Sequence, residues 1–456
     1  MVKQHICDRC GQIFKQKGHL TNHLNRKTPC KPVENSIVEE KVKEKIQEMI
    51  KNGEIEIKDK PRPMKFIDLF CGIGGFHQAL SSFGAECNLA CDIDKKCREV
   101  YENNYKIKPH SDVRKIIPDN IDDMDIICGG FPCQAFSNAG NKKTFSDDRG
   151  LLFDEIMKIA INKKPKFMFL ENVKHILKVG NGEVIKYIKE KLEKYEYILQ
   201  LFEMSPHNYG IPQQRERIYF VCVRKDIYNG TKIQLPISTK KVIFENYLDK
   251  KEDIDKKYFI DGDILKCLEA WDEMIKIFDV GEKISPTIMI NEHYNNHSEE
   301  EFNNYAKWRK EYITKNKPLI LKYKDKWDKW YKKHREILQK REIYGKLEWQ
   351  VGPIKPNDSI FNYFIQPRQS GIRVKKAQYF PTLVAIVQVP IYGKEKRYIT
   401  PRECARLQSF PENFIMDEDD KKAYKQFGNA VNVDNVKTVI KATLDHYKIN
   451  PKEYVN

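Results

Sequence analysis

Three short blocks of this chain carry residues that could do chemistry together. Cys133 stands behind Pro132 in Gly-Gly-Phe-Pro-Cys-Gln-Ala-Phe-Ser, residues 129–137, at the end of an apolar run from Asp125 to Cys128. About sixty residues earlier lies a Gly-rich turn, Asp68-Leu69-Phe70-Cys71-Gly72-Ile73-Gly74-Gly75. About forty residues after the cysteine, a second apolar run ends in Phe169-Leu170-Glu171-Asn172-Val173. Glycines let the backbone approach a ligand closely, and the N-terminus of a following helix favours an anionic group. A thiolate is a strong nucleophile wherever polar or positive surroundings lower its pKa. A buried glutamic acid keeps its proton towards neutral pH and can donate it. A thiol, a cofactor turn and a carboxyl group, each ending a strand-like segment, describe a covalent group-transfer site. The turn is not the dinucleotide pattern, because its third glycine directly follows the second.

The text around these blocks alternates between strand and helix. Strands are expected at 65–70, 86–91, 125–128, 166–170 and 217–223, with helices at 76–83, 95–104, 151–161 and 182–194. That rhythm predicts a doubly wound α/β fold, its mostly parallel sheet covered on both faces. Ligands of such sheets sit beyond the carboxyl ends of the strands, where all three blocks fall. The second strand ends in Cys91-Asp92-Ile93-Asp94, which sets a carboxylate where a ribose diol would need one. Asp112, after a short third segment, could take an exocyclic amine; both aspartates read equally well as helix caps.

Beyond residue 225 the alternation stops and lysine-rich text follows. Residues 305–346 hold 15 Lys/Arg against 5 Asp/Glu. Within them Trp327, Trp330, Tyr331, His334 and Leu338 share one helical face. Either these aromatics pack inward with the lysines solvated outside, or they stack on bases. The whole chain carries 81 basic and 65 acidic residues, a formal +16, which favours a polyanionic partner. No apolar stretch reaches membrane-spanning length, and the N-terminus lacks a secretory pattern. The 12 cysteines are expected to be reduced thiols in a soluble, intracellular protein.

At the N-terminus, Cys7-x2-Cys10, twelve residues, His23, six residues and Cys30 are close to zinc-finger spacing. Phe14 and Leu20 fall where a ββα finger keeps its small core, while Gln16, His19 and Asn22 take its outward, base-reading positions. The last ligand departs from the usual pattern: it is a cysteine, one step further away. A structural Zn2+ held by Cys7, Cys10, His23 and Cys30 is expected.

The order and wording of the main blocks resemble the cytosine-5 DNA methyltransferases from about residue 64 to about residue 440. Two later blocks extend the resemblance. Gln213-Gln214-Arg215-Glu216-Arg217 leads into Ile-Tyr-Phe-Val, and Arg397-Tyr398-Ile399-Thr400-Pro401-Arg402-Glu403 resembles the block that organises the family's target-recognition domain. Pro401 suits the first turn of a helix capped by Thr400. Gln426-Phe427-Gly428-Asn429-Ala430-Val431 resembles the final block, which returns to the cofactor side.

The resemblance implies an S-adenosyl-L-methionine pocket built from Asp68, Phe70, Gly72, Gly74, Gly75, Asp92, Asp112 and Asn429. In it Phe70 stacks on adenine, Asp92 holds the ribose, Asp112 reads the adenine edge and Asn429 serves the methionine moiety. Ile93 stands where the family often has an aromatic. Catalysis falls to Cys133 with Pro132, Glu171 and Arg217, and substrate contacts to Gln134, Ser137, Arg215 and Arg397. Cys133 would add to carbon 6 of cytosine and turn the base into an enamine, with Glu171 absorbing the charge that develops at N3. A stacked base cannot reach the thiol, so the cytosine must be extruded from double-stranded DNA. The implied arrangement is a zinc-finger module (1–31), a linker with a short amphipathic helix (32–62), the catalytic domain (63–225), a target-recognition domain (226–414) and a return segment (415–456). The tRNA-methylating relatives usually carry Pro-Pro-Cys where this chain has Phe-Pro-Cys. A dead scaffold would have lost the thiol, the glutamate or a turn glycine, and all are present. Nothing in the chain shows a partner nuclease, and no oligomeric state follows from it.

Overall fold

The computed structural model describes residues 5–7, 9, 10, 12–26, 28, 45, 61–132, 152–238, 242–290, 299–376, 379–383 and 388–454. The expected amphipathic helix around residues 38–50 lies outside this set except for residue 45, as do Cys30, Cys133, Gln134 and Ser137. The chain divides into two compact units, residues 62–454 and a small one made of residues 1–61 with 455 and 456.

In the small unit, β1 (His5–Ile6) pairs antiparallel with β2 (Ile13–Phe14) and is followed by α1 (Lys17–Leu24). This is the ββα order expected from the finger spacing.

The large unit opens with a sheet of β3 (Lys65–Leu69), β4 (Glu86–Cys91), β5 (Ile126–Gly130), β6 (Phe167–Val173), β7 (Tyr197–Met204) and β8 (Arg217–Arg224), in the order β4-β3-β5-β6-β8-β7. The helices between them are α2 (Gly75–Ser82), α3 (Lys95–Tyr105), α4 (Leu152–Lys163) and α5 (Glu183–Lys194). Successive strand residues feed two different cores. Phe66, Cys128, Phe169 and Val221 face one, and Ile67, Ile127, Met168 and Phe220 face the other. That is why the strands read as nearly unbroken apolar runs. Phe76 of α2 joins the first core, while Ile156 of α4 and Ile188 of α5 join the second, so the sheet is doubly wound.

The sequence reading missed β7. It is an edge strand whose central residues, Gln200 among them, are only half-buried and whose Glu203 is exposed, so its apolar signal is weak. β8 runs antiparallel to both β6 and β7, the one reversal among the described strands of this otherwise parallel sheet.

A second sheet comprises β9 (Thr287–Met289), β10 (Lys346–Gln350), β11 (Phe364–Arg368), β12 (Gly371–Lys375), β13 (Ile391–Tyr392) and β14 (Arg397–Tyr398), ordered β14-β13-β11-β12-β10-β9. Against it lie α6 (Gly262–Ile275), α8 (Lys307–Lys322) and α9 (Lys324–Gln339), with the short α7 (Glu299–Asn304) preceding α8 in the chain. Trp327 and Trp330 of α9 are buried beside Trp271, and Trp330 Nε1 donates to the Ala270 carbonyl at 2.7 Å. The aromatic face therefore packs inward and does not stack on bases.

The chain then forms α10 (Pro401–Leu407), α11 (Asp420–Asn429) and α12 (Val433–His446). Thr400 caps α10 as expected: its hydroxyl accepts from the Glu403 amide while Glu403 accepts from the Thr400 amide. Val436, Val439 and Ile440 of α12 return to the core that holds Phe76. No helix among the described residues is long and apolar enough to cross a membrane.

Candidate active site and metal-binding module

The Glu171 carboxyl group is positioned by strand pairing. β5 and β6 run parallel, and the register sets Gly130 opposite Glu171. The chain leaving β5 at Gly130 continues through Phe131 to Pro132, one residue short of Cys133. Buried Asn172 Nδ2 donates to the Phe131 carbonyl at 2.8 Å, tying the Glu-Asn-Val end of β6 to the cysteine-bearing segment. Asn172 was quoted in the sequence motif but given no role; its side-chain reach across two strands is invisible to spacing.

Glu171 is buried, and desolvation pushes its pKa up while the neighbouring guanidinium groups of Arg217 and Arg215 oppose the rise. Arg217 Nε lies 2.9 Å from Glu171 Oε1, across the antiparallel pair of β6 and β8. The pairing is by charge and proximity, since the N–H is not aimed well enough at Oε1 to complete a hydrogen bond. A protonatable carboxyl group beside a fixed cation is the pairing expected of Glu171 and Arg217.

Two other arginines are placed differently from the sequence expectation. Arg215, expected to contact substrate, is buried. Its guanidinium donates to the carbonyls of Leu383, Gly428 and Ala430 at 2.7, 3.0 and 2.9 Å. It clasps the turn after α11, and although burial lowers its pKa to about 9 it stays charged at neutral pH. Gln408 Nε2 holds the same turn through Phe427 O at 2.7 Å, a residue that the sequence reading passed over. Arg397, also expected at the substrate, is wholly buried and bonded bidentately to Glu403 at 2.9 and 2.8 Å, with Glu395 at 2.6 Å. Its fork fits two carboxylates inside the protein, so it joins β14 to α10.

At the cofactor turn, Phe70 adopts a left-handed φ of 56° and is half-buried. Gly72 and Gly74 also take positive φ, 52° and 90°. A Cβ on Gly72 would meet nothing within 4 Å, so its face is open to a ligand. By contrast, a Cβ on Gly74 would come within 2.2 Å of the Tyr105 ring, and one on Gly75 within 2.5 Å of Val431. Gly74 and Gly75 are thus glycines for close internal packing, and only Gly72 of the three faces open space.

Asp92 Oδ2 accepts from the Gly72 amide at 2.8 Å and Oδ1 from the Asp94 amide at 2.7 Å. The carboxylate is fixed at the end of β4 with a lone pair left on each oxygen. The Asp92 amide donates to the His110 carbonyl at 3.0 Å, which brings the segment carrying Asp112 alongside. Asp112 itself is paired with the Arg114 guanidinium at 2.7 and 2.9 Å and caps a turn, so a cofactor contact there requires that pair to open. Ile93 is 76% exposed. Asn429 is exposed at the end of α11.

Asp68 departs from the expectation. It is completely buried and cannot touch a cofactor; burial pushes its carboxyl up to about 8. It supports the turn from behind. An open glycine face, a fixed carboxylate and a half-buried aromatic, gathered at the ends of β3 and β4, suit an adenosine bearing a free ribose diol.

In the small unit, ligand atoms of Cys7, Cys10 and His23 lie within 4.8 Å of one another, and Cys10 Sγ is 3.2 Å from His23 Nε2. Cys7 and His23 are buried, and Phe14 packs on the His23 ring with centroids 4.9 Å apart. Gln16, His19 and Asn22 are exposed. Two sulfurs and an imidazole at this separation fit a tetrahedral Zn2+ with bonds of about 2.0–2.3 Å.

Comparison with known proteins agrees with the geometry. The profile of the C-5 cytosine-specific DNA methylase family matches residues 64–445. The Type II methyltransferase M.HhaI of Haemophilus parahaemolyticus is 32% identical over 378 residues, covering 83% of this chain and 93% of the relative. M.BanI of Aneurinibacillus aneurinilyticus is 30% identical over 423 residues, covering 83% and 95%. Among solved structures, a prophage-encoded candidate DNA modification methyltransferase of E. coli shares the fold with a TM-score of 0.52 at 20% identity, covering 84% of this chain and 99% of that one. With Glu171, the strand that leads to Pro132 and the glycine turn on one sheet of this topology, the chain belongs to the C-5 cytosine-specific DNA methylase family.

Proposed function

We propose that this protein methylates carbon 5 of cytosine in double-stranded DNA, with Cys133 as nucleophile and S-adenosyl-L-methionine as methyl donor. The observation that carries this assignment is the buried Glu171, raised in pKa and 2.9 Å from Arg217, in register with the strand that leads to Pro132. Cytosine carbon 5 is a poor nucleophile in the intact aromatic ring. Addition of the Cys133 thiolate to carbon 6 of an extruded base breaks that aromaticity and directs negative charge towards N3. The proton of Glu171 meets that charge, and Arg217 orients the carboxyl group and balances it once ionised. Carbon 5 is then enamine-like and can take up a methyl group. Loss of the carbon 5 proton to solvent, expulsion of the Cys133 thiolate from carbon 6 and return of the N3 proton to Glu171 restore the aromatic ring and the free enzyme. When bound, the cofactor supplies a methyl group on a positively charged sulfur, and Phe70, the open face of Gly72 and Asp92 would hold its adenosine.

The test is transfer of a labelled methyl group to unmethylated duplex DNA, with Cys133→Ala run alongside and the products mapped by bisulfite sequencing. Methylated cytosines in one short context, absent with the variant, are expected. Transfer to a tRNA pool and to no duplex would reassign the substrate. A mapped context also defines the site that any partner nuclease would have to share. For the N-terminal module, the sulfur and imidazole cluster supports a structural Zn2+ with Cys30 as fourth ligand. One zinc per chain, lost in Cys7→Ser with unfolding of the module alone, is the expected metal analysis.

A further inference from the structure

The α8–α9 hairpin is a rigid bracket whose outer surface is left cationic. Its inner face is fully committed. Asn316, wholly buried, accepts from the Ser285 amide at 2.9 Å and donates to the Thr287 carbonyl of β9 at 2.7 Å. Trp327, Trp330 and Leu338 fill the core against α6. Three lysines are neutralised: Lys322 by Glu282 at 2.5 Å, Lys324 by Asp328 at 2.5 Å and Lys333 by Glu273 at 2.8 Å. Lys315, Lys317, Lys326, Lys329, Lys332 and Arg335 are exposed and have no acidic partner among the described residues. Lys329, Lys332 and Arg335 follow at three-residue steps along one side of α9.

We infer that the outer face of α8–α9 is a phosphate clamp that grips duplex DNA flanking the target cytosine, independently of base sequence. The inference rests on the proposed action on duplex DNA. It predicts that affinity depends on flank length and that the extra affinity is salt-sensitive. The test uses the full chain and a variant combining Lys326→Gln, Lys329→Gln, Lys332→Gln and Arg335→Gln. Binding is titrated against salt on a duplex of about thirty base pairs and on one trimmed to about four base pairs either side of the mapped cytosine. At about 0.9 per phosphate contact, the slope of log K against log salt should fall by about 2 to 4 on the long duplex and stay unchanged on the short one. Lys329→Gln with Lys332→Gln alone should give about half that change, and the rate of methyl transfer at saturating DNA should hold. Equal slopes for wild type and both variants on the long duplex, with circular dichroism unchanged, would overturn the clamp. A wild-type protein that binds no duplex would instead remove the reading on which it rests.

Discussion

Replacing Asp68 with asparagine should stabilise the protein, and the gain should grow with pH. Asp68 ends β3 with no exposed surface, and its Oδ2 has no hydrogen-bond partner. The Cys128 thiol reaches Oδ1 only at 3.7 Å. Desolvation therefore lifts the carboxyl from its ordinary 3.8 to about 8, opposed by the Cys128 thiol and, less, by the His77 main chain and the Tyr101 hydroxyl. A carboxyl raised in this sense keeps its proton in the folded chain while the unfolded chain has lost it. Stability is then full below the unfolded pKa and drains away as pH rises towards the folded one. Each pH unit in that window is worth about 1.4 kcal/mol, so roughly 2–3 kcal/mol disappears between about pH 5.5 and 7.5. Asparagine cannot ionise and loses nothing. His77, held neutral down to about 4 by burial, works in the opposite sense and loses its contribution on acidification. It is common to both proteins and cancels in the difference. Urea unfolding of wild type and Asp68→Asn at the two pH values gives the quantity directly. The stability difference should widen by roughly 2–3 kcal/mol at the higher pH. A difference that does not change with pH would mean that Asp68 is already ionised in the fold, and the argument from desolvation would fail.

Three further outcomes follow from the same geometry. Asn172→Ala strands the buried Phe131 carbonyl; it should cost about 1–3 kcal/mol in thermal unfolding and slow methyl transfer while DNA affinity holds. Activity that needs a protonated Glu171 should decline as pH rises through its elevated pKa. Arg217→Gln removes the opposing cation and should move that alkaline limb of kcat/KM to higher pH, whatever it does to the absolute rate. Trp330→Ala empties a fully packed site between α9 and α6 and deletes the bond to Ala270, so chemical denaturation should show a loss of about 3–5 kcal/mol.

The residues of the site were legible one strand at a time. Strand ends carry their own signals: an apolar run, then a glycine, proline or acidic residue. On these signals Asp92 and Glu171 fell at the mouths of their strands, and Thr400 could be read as a cap from three neighbouring residues. The doubly wound sheet followed from the same local periodicity, because both of its faces are buried and its inner strands are apolar throughout.

What local text could not contain was the partner of each charge. The arginines Arg215, Arg217 and Arg397 look alike in sequence, yet tertiary packing gives them three fates. Arg217 meets Glu171, Arg215 is spent on main-chain carbonyls, and Arg397 is closed between two carboxylates. Asp68 and Asp92 likewise both end strands beside the glycine turn, but burial separates a silent support from a fixed carboxylate facing the pocket. Residue type and spacing determine which groups can reach the end of a strand. Whether such a group meets a ligand, a counter-charge or nothing at all is decided by segments up to about two hundred residues away that the fold brings against it, as the reach of Arg215 to Ala430 shows.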